Sequence, residues 1–437
     1  MLMSLGETKQ RIRGGRNAAL LSMNNLETPR LTRWLDRAME YALYFMVVGI
    51  FISNAFTSGG VGAVLLLWAV KRFILRENSS VPRPLIILSG VLFLAYAASL
   101  IHSEYLGQSI PALFLKYGKY LFLMVAIAEG VKEKRVAINM ALALCGVATF
   151  ICWDGFYQFF SGRDFLLCRE AGRLDVFHQG WQFHSFRVTA TFPAANTFAS
   201  SLVPALMLGL ALFYCSVTKT WKVVWGKVGC LGCMVLCLFL TFSRGGLIAC
   251  LGGIFMLAFL FKKKILLIIP VIFLVVFLSG KGLYGNRSAG NGAIDPTVET
   301  RLLMLKDATR MFESHPWTGI GLNTYYKVCE RNQSRTIPPD YAHNSYIQLL
   351  AEVGIVGFMS FMALMIYWFV RGMRSFRKLH DLELRFLLGG VLAGVLGLCV
   401  ASFFDNVLFE LLPATLFWVL MGYSVALARL GSENSVS

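Results

Sequence analysis

The sequence predicts an all-α polytopic membrane protein, on three observations. Of its 437 residues 57% are hydrophobic and only 15% charged, against about 25% charged in a typical soluble domain, and mean hydropathy is +0.63. Apolar runs of roughly 20 residues recur from end to end, each able to cross a hydrocarbon layer of about 30 Å. The formal charge of +17 lies mostly between those runs. These features exclude a water-soluble enzyme, a disordered chain and a secreted disulfide scaffold. They also make topology and anionic lipid, not nucleic acid, the meaning of the basic balance. In lipid the backbone must satisfy its own hydrogen bonds, so the runs are expected as helices.

Residues 1–38 are polar and basic (Arg11, Arg13, Arg16, Arg30, Arg33, Arg37). They hold no short apolar segment followed by a small-residue cleavage site, so a cytoplasmic N-terminal segment is expected. About twelve spans follow, at roughly 39–56, 59–75, 85–101, 112–129, 137–160, 190–215, 229–242, 245–261, 265–280, 343–370, 386–404 and 407–428. Spans one to nine thus occupy 39–280, a long outer loop 281–342, spans ten to twelve 343–428, and a cytoplasmic tail 429–437. With the N-terminus inside, the inside segments hold 26 of the 41 Lys and Arg. Every inside loop is basic, from Lys71/Arg72 through Lys132/Lys134 and Lys262/Lys263/Lys264 to Arg374/Arg377/Lys378. A missed span would invert everything after it, so the positive-inside rule supports both count and orientation.

The exceptions carry the information. Loop 281–342 holds eight Lys and Arg although it lies outside. Its length is far above usual connections, which marks it as functional. Its middle reads as a helix, with Leu302, Leu305, Ala308 and Met311/Phe312 in helical period after Asp295-Pro296. His315-Pro316 ends that helix, and Gly319-Ile320-Gly321 reads as a turn. Of ten cysteines most fall within spans and read as packing residues. Cys230, Cys233 and Cys237 share one helix face with no His or acid beside them. Cys168 and Cys329, in different outer loops, can pair in an oxidising compartment.

Three arginines and one histidine converge on the outer side. Arg244, in "TFSRGG", sits in a hairpin between two spans with no acid nearby in sequence. An arginine near hydrocarbon is expensive and usually functional. Beside a helix N-terminus and two glycines it forms a phosphate-binding arrangement. The alternative is an interfacial arginine snorkelling to headgroups. For Arg187, in "RVTATFPAANTFAS", the alternative is an ordinary juxtamembrane arginine, and for Arg301, on the loop helix with Lys306 and Arg310, a solvated charged face. His343 opens the tenth span, as a base or relay or as a structural histidine. Asn344 beside it is grouped with the substrate-binding residues. Glu352 falls on the face opposite His343 and reads as an interhelical anchor, while Gly354 and Gly357 permit close packing. Lys116 and Lys119 share a face of the fourth span, either assisting an anionic ligand or snorkelling. No Asp-x-Asp pair lies in an outer loop and there is no P-loop, so neither a diphosphate-bound metal nor ATP is expected.

At these residues the chain resembles the O-antigen ligase and O-antigen polymerase superfamily of bacterial envelopes. "TFSRGG" is similar to the family's Ser-Arg-Gly turn. "HNSYIQLLAEVGIVG" is similar to its His-Asn…Glu-x-Gly-x-x-Gly signature, and "MFESHPWTGIGLNTY" to the His-Pro…Gly-x-Gly stretch before it. "RVTATFPAANTFAS" resembles an Arg…Gly-x-Phe…Pro-Asn segment, with Ala190 where Gly is usual and Ala195 where Pro is usual. The resemblance implies a glycosyltransferase of the inner membrane with a periplasmic site and no cofactor or metal. Its donor would be an undecaprenyl-diphosphate-linked glycan and its acceptor the lipid A–core oligosaccharide. Arg244 and Arg301 would hold the diphosphate with Arg187 as a third, and His343 would act on the acceptor hydroxyl. A polysaccharide polymerase or a protein O-oligosaccharyltransferase shares these motifs. A transporter or flippase suits the span count, but it should place unusual polar groups near the midplane, whereas here they gather at one outer face.

Overall fold

The computed structural model describes residues 31–170, 172–178, 181–215, 221–263, 296–331 and 341–433. The expected all-α polytopic architecture is found. Helix α1 spans 31–52. Ser53 breaks the chain and caps α2 (Asn54–Ala69) by accepting from the Phe56 amide, after which a π-turn covers Val70–Ile74. Then come α3 (Arg83–Ala98), α4 (Leu106–Ala112) and α5 (Lys119–Gly130), the last two joined by a π-helical stretch over Leu113–Gly118. Helix α6 (Lys134–Ser161) ends at Gly162 in the left-handed region. A hairpin of β1 (Gly172–His178) and β2 (Trp181–Arg187) follows, with Gly172 opposite Arg187. The remaining helices are α7 (Ala195–Cys215), α8 (Trp221–Leu240), α9 (Arg244–Phe261), α10 (Pro296–Ser314), α11 (Tyr325–Arg331), α12 (Ser345–Lys378), α13 (Leu382–Ala401) and α14 (Leu411–Glu433).

Among the described residues ten helices are long and apolar enough to cross a membrane. They correspond to the expected second to eighth and tenth to twelfth spans. The first expected span is α1, and the ninth (265–280) lies outside the described residues. The β-hairpin was not expected. It occupies the outer loop before α7, where two seven-residue strands are separated by two residues.

Helix α13 is the centre of the bundle. A Cβ on its Gly390, Gly394 or Gly397 would come within 2.9, 3.0 and 2.5 Å of Ala211, Pro204 and Val203 on α7. Small residues therefore let these two backbones approach closely, as membrane helices do when no hydrophobic effect drives them together.

Charge separates the two ends of the bundle. At one end Lys71 pairs with Asp36, Lys132 with Glu77 (3.2 Å), Arg135 with Glu40 (2.9 Å) and Lys134 with Asp381 (2.6 Å). The Arg429 guanidinium donates to the Val131 carbonyl there. These contacts tie α1, α2, the α5–α6 turn, the α12–α13 turn and the end of α14 to a single basic end. Each helix then carries the chain to the other end, where α8 turns into α9, α13 into α14, and α7 and α12 begin.

The tenth span is not one straight helix. Gly354 breaks α12 with φ +63 and ψ −171, and residues 316–321 fill the break. Ala351 and Glu352 carbonyls, which an unbroken helix would offer to residues 355 and 356, accept instead from the Ile320 and Gly321 amides (3.0 Å each). The freed Ile355 and Val356 amides donate to the Pro316 and Trp317 carbonyls (2.8 and 3.3 Å). The exchange leaves these backbone groups satisfied, which a helix broken at membrane depth requires. It also explains one glycine on each side of the contact. A Cβ on Gly354 would meet the Trp317 carbonyl at 2.4 Å, and one on Gly319 the Glu352 carbonyl at 2.4 Å. The two motifs that stood apart in sequence are therefore one interlocked piece. Glu352 lies buried beneath it, accepting from the Tyr117 hydroxyl (2.9 Å), the Asn323 amide (2.8 Å) and Gln348 (3.1 Å). It anchors α12 to the turn before α5 and to the outer loop.

Candidate active site

The end opposite the basic one gathers four stretches of chain. The first is the exit of β2. Arg187 donates through Nε to the Thr241 carbonyl (3.1 Å) and through its terminal nitrogen to Asn196 Oδ1 (3.0 Å). The Val188 amide donates to the Leu240 carbonyl (3.2 Å), stitching the hairpin to the end of α8. Ala190 adopts φ +46, a left-handed conformation that favours glycine. It is held there because Gln158 Oε1 accepts from both the Thr189 and Ala190 amides (2.8 Å each).

The second stretch is the α8–α9 turn. Ser243 caps α9 by accepting from the Gly246 amide (3.2 Å). Arg244 is the first residue of α9 and half-buried. Its two neighbours must be glycine because the turn is wedged between helices. A Cβ on Gly245 would lie 2.7 Å from Phe404 Cβ, and one on Gly246 would lie 2.6 Å from Ala199 Cβ.

The third stretch is His343, which takes φ +52 just before α12. Its Nδ1 lies 3.1 Å from Asp405 Oδ1, with the imidazole 38% and the carboxylate 12% exposed. Asp405 is fixed by the Asn406 amide (2.9 Å). The Ser345 hydroxyl donates to the Asp405 carbonyl (3.0 Å), and the Ser345 amide to the Ser402 carbonyl (2.8 Å). A carboxylate on Nδ1 orients the ring and leaves Nε2 as the proton acceptor.

The fourth is the α13–α14 connection itself. It carries Phe404 against Gly245 and Asp405 against His343, so Arg244 and His343 sit beside adjacent residues of one loop. Glu410 ends that connection, half-buried and accepting from the Thr197 hydroxyl. Burial, and then the Asp405 charge, push its carboxyl up to about 7, while the Thr197 bond and His343 pull the other way. Thr197 adjoins Asn196, the partner of Arg187. Asn406 between them is fully buried, and its side-chain amide has no hydrogen-bond partner among the described residues.

Arg187, Arg244 and His343 are thus brought together. Asn344 is the N-cap of α12, its Oδ1 accepting from the Tyr346 and Ile347 amides (3.0 and 3.2 Å). Lys116 lies nearby, donating to Asn323 Oδ1 (2.6 Å), with its ammonium 5.5 Å from the Tyr341 ring centre and 5.8 Å from that of Phe409. Lys119 instead sits 4.9 Å over Tyr120. The π-helical stretch ending at Gly118 gives the two lysines different partners, which sequence spacing did not show. Arg301 is exposed on α10, a helix seated through Met304, Ala308 and Met311. Among the described residues no hydrogen bond or ion pair ties it to the partners of Arg187 or His343. Cys168 and Cys329 are not joined by a disulfide, and no group of three metal-ligating side chains occurs among the described residues.

Asp405 and Glu410 escaped the sequence reading. The signal was there: they are the two acids of a short turn between membrane helices, at the end already marked by arginines.

Fold and site together define a polytopic helical membrane protein with a half-buried cluster of arginine, histidine and carboxylate at one end. Residues 229–362 match the family model described as O-antigen ligase. Arg244, Arg301 and His343 fall within the matched segment; Arg187 and Lys116 precede it. No curated protein matches the chain. It is similar to a solved chain from the study titled "Structural coordination of polymerization and crosslinking by a peptidoglycan synthase complex", at 17% identity and a TM-score of 0.46, over 80% of this chain and 98% of that one.

Proposed function

We propose that the protein is an inverting glycosyltransferase that moves O-antigen polysaccharide from undecaprenyl diphosphate to lipid A–core oligosaccharide at the periplasmic face of the inner membrane. The observation that carries this reading is the meeting of the Arg244 turn and the His343–Asp405 pair across Phe404 and Asp405. Orientation follows from the basic end, which the positive-inside rule assigns to the cytoplasm.

The chemistry needs little else. Arg187 and Arg244 receive the diphosphate, for which a planar guanidinium offers paired donors, and the first turn of α9 adds its amide dipoles. Arg301, on the loop helix, is the third cation for the donor, and Asn344 sets the start of α12 from which His343 projects. The acceptor hydroxyl gives its proton to His343 Nε2 as its oxygen bonds to the anomeric carbon. The bond from that carbon to the diphosphate oxygen breaks, and its electron pair leaves with the diphosphate. The arginines stabilise the charge developing there, and Asp405 stabilises the imidazolium. The polyprenyl tail remains among the lipid-facing helices.

A lipopolysaccharide gel from a deletion strain tests the reading. The expected result is bare core with lipid-linked glycan accumulating. Core bearing a single repeat would instead indicate a polymerase, and donor stranded on the cytoplasmic side a flippase.

A further inference from the structure

Beside the site lies a cavity of about 490 Å³ that the donor chemistry does not use, lined by Gln108, Leu115, Lys116, Asn323, Tyr326 and Tyr341. Its size falls within the roughly 300–1,000 Å³ of small-molecule sites. Three features say what it fits. Its walls combine two phenol rings with amide and ammonium groups, the mixture that stacks on a sugar ring and bonds its hydroxyls. Its one cation is held in place, since Asn323 Oδ1 accepts from Lys116 and the Tyr341 and Phe409 rings flank the ammonium. The buried Glu352 lies behind that cation across Asn323, whose backbone amide donates to Glu352 and whose side-chain oxygen accepts from Lys116. The cavity thus holds a single cation that is already hydrogen-bonded, with an acid behind it, unlike the arginine turn. It suits a hydroxyl-rich ring rather than the anionic ligand that sequence suggested for Lys116.

Its position fixes which sugar. Tyr341 is two residues before His343, and Phe409, against Lys116, adjoins Glu410. The arginine turn packs against Phe404, next to Asp405, whereas the cavity is walled by Tyr341, two residues before His343, and by Lys116, whose ammonium lies 5.8 Å from the Phe409 ring centre. In a displacement with inversion the nucleophile enters opposite the leaving group, so the compartment away from the arginines belongs to the acceptor.

We propose that this cavity is the acceptor subsite, taking an uncharged, hydroxyl-bearing sugar ring of the acceptor glycan and presenting its hydroxyl to His343. The proposal rests on the transferase reading above. The test measures binding of two probes, delipidated core oligosaccharide and inorganic pyrophosphate, to the full-length protein in detergent. Tyr326→Ala and Lys116→Met should each weaken oligosaccharide binding about tenfold, equivalent to about 1.4 kcal/mol, and leave pyrophosphate binding unchanged. Arg244→Lys should do the reverse. Tyr326 is half-exposed, so its truncation tests the cavity even where loss of Lys116 unfolds the protein by stranding Glu352. Oligosaccharide binding that Tyr326→Ala leaves intact, or its absence from the wild type while pyrophosphate binds, overturns the subsite. Oligosaccharide binding in this cavity by a wild type that does not bind pyrophosphate overturns the transferase reading and keeps the subsite.

Discussion

Replacing Asp405 with Asn separates the base from the group that orients it. The change keeps shape and removes charge, so the partner of His343 Nδ1 at 3.1 Å persists as a neutral amide. A hydrogen bond to a charged group contributes about 1.5–3 kcal/mol. The imidazole is 38% exposed, so solvent screening favours the lower part of that range, about 1.5–2 kcal/mol. At about 1.4 kcal/mol per factor of ten, Asp405→Asn should lower kcat about ten- to thirtyfold. His343→Ala removes the base itself and should cost about 10²–10⁴-fold. Because one residue acts through the other, the double variant should be no slower than His343→Ala alone. The assay is transfer from a lipid-linked donor to purified lipid A–core by the reconstituted protein, with folding checked by gel filtration. Wild-type turnover in Asp405→Asn, or losses that multiply in the double variant, would refute the pairing.

Four further outcomes are expected. Arg244→Lys, which replaces a planar fork with a point charge, should lose about 10²-fold or more in transfer while the protein still folds; near-normal turnover would contradict the diphosphate role. Glu410, raised from 4.5 to about 7, binds a proton in the fold that the unfolded chain releases, so wild-type stability should fall as pH rises from 4.5 to about 7 and level off above. Glu410→Gln should remove that dependence, and melting at pH 5 and pH 8 checks it. Gly354→Ala places a Cβ 2.4 Å from the Trp317 carbonyl at φ +63, and left-handed strain plus overpacking should destabilise by about 3 kcal/mol, read as a lowered Tm; an unchanged Tm would mean the helix break relaxes freely. Transfer in EDTA should equal transfer without it, since the reading assigns charge neutralisation to guanidinium groups; a divalent-ion requirement would contradict that assignment.

What was legible in sequence was what the bilayer makes expensive. Spans showed because each needs an unbroken apolar length, and Arg187 and Arg244 stood out because charge beside hydrocarbon demands a reason. The break at Gly354 did not show. Hydropathy runs evenly across residues 345–370, and a glycine in a membrane helix more often marks close packing than a left-handed kink. The backbone exchange that tolerates the kink comes from residues 316–321, whose contact with α12 is tertiary. The wide turn before Gly118 left no mark on the spacing of Lys116 and Lys119, since a π-bulge inserts a residue without changing composition. The hairpin over 172–187 was a period-two signal too short to outweigh the surrounding helical pattern. Asp405 drew no notice, because its pairing with His343 spans 62 residues of sequence.

The central claim is that the guanidinium groups of Arg187 and Arg244 and the His343 imidazole face one lipid diphosphate. Its most direct test is a cryo-electron microscopy map of the protein bound to a non-hydrolysable undecaprenyl diphosphate glycan. The account predicts the diphosphate against Arg187, Arg244 and the first turn of α9, with the anomeric carbon facing His343 Nε2. A diphosphate bound at the basic end, or one held away from His343, would contradict it.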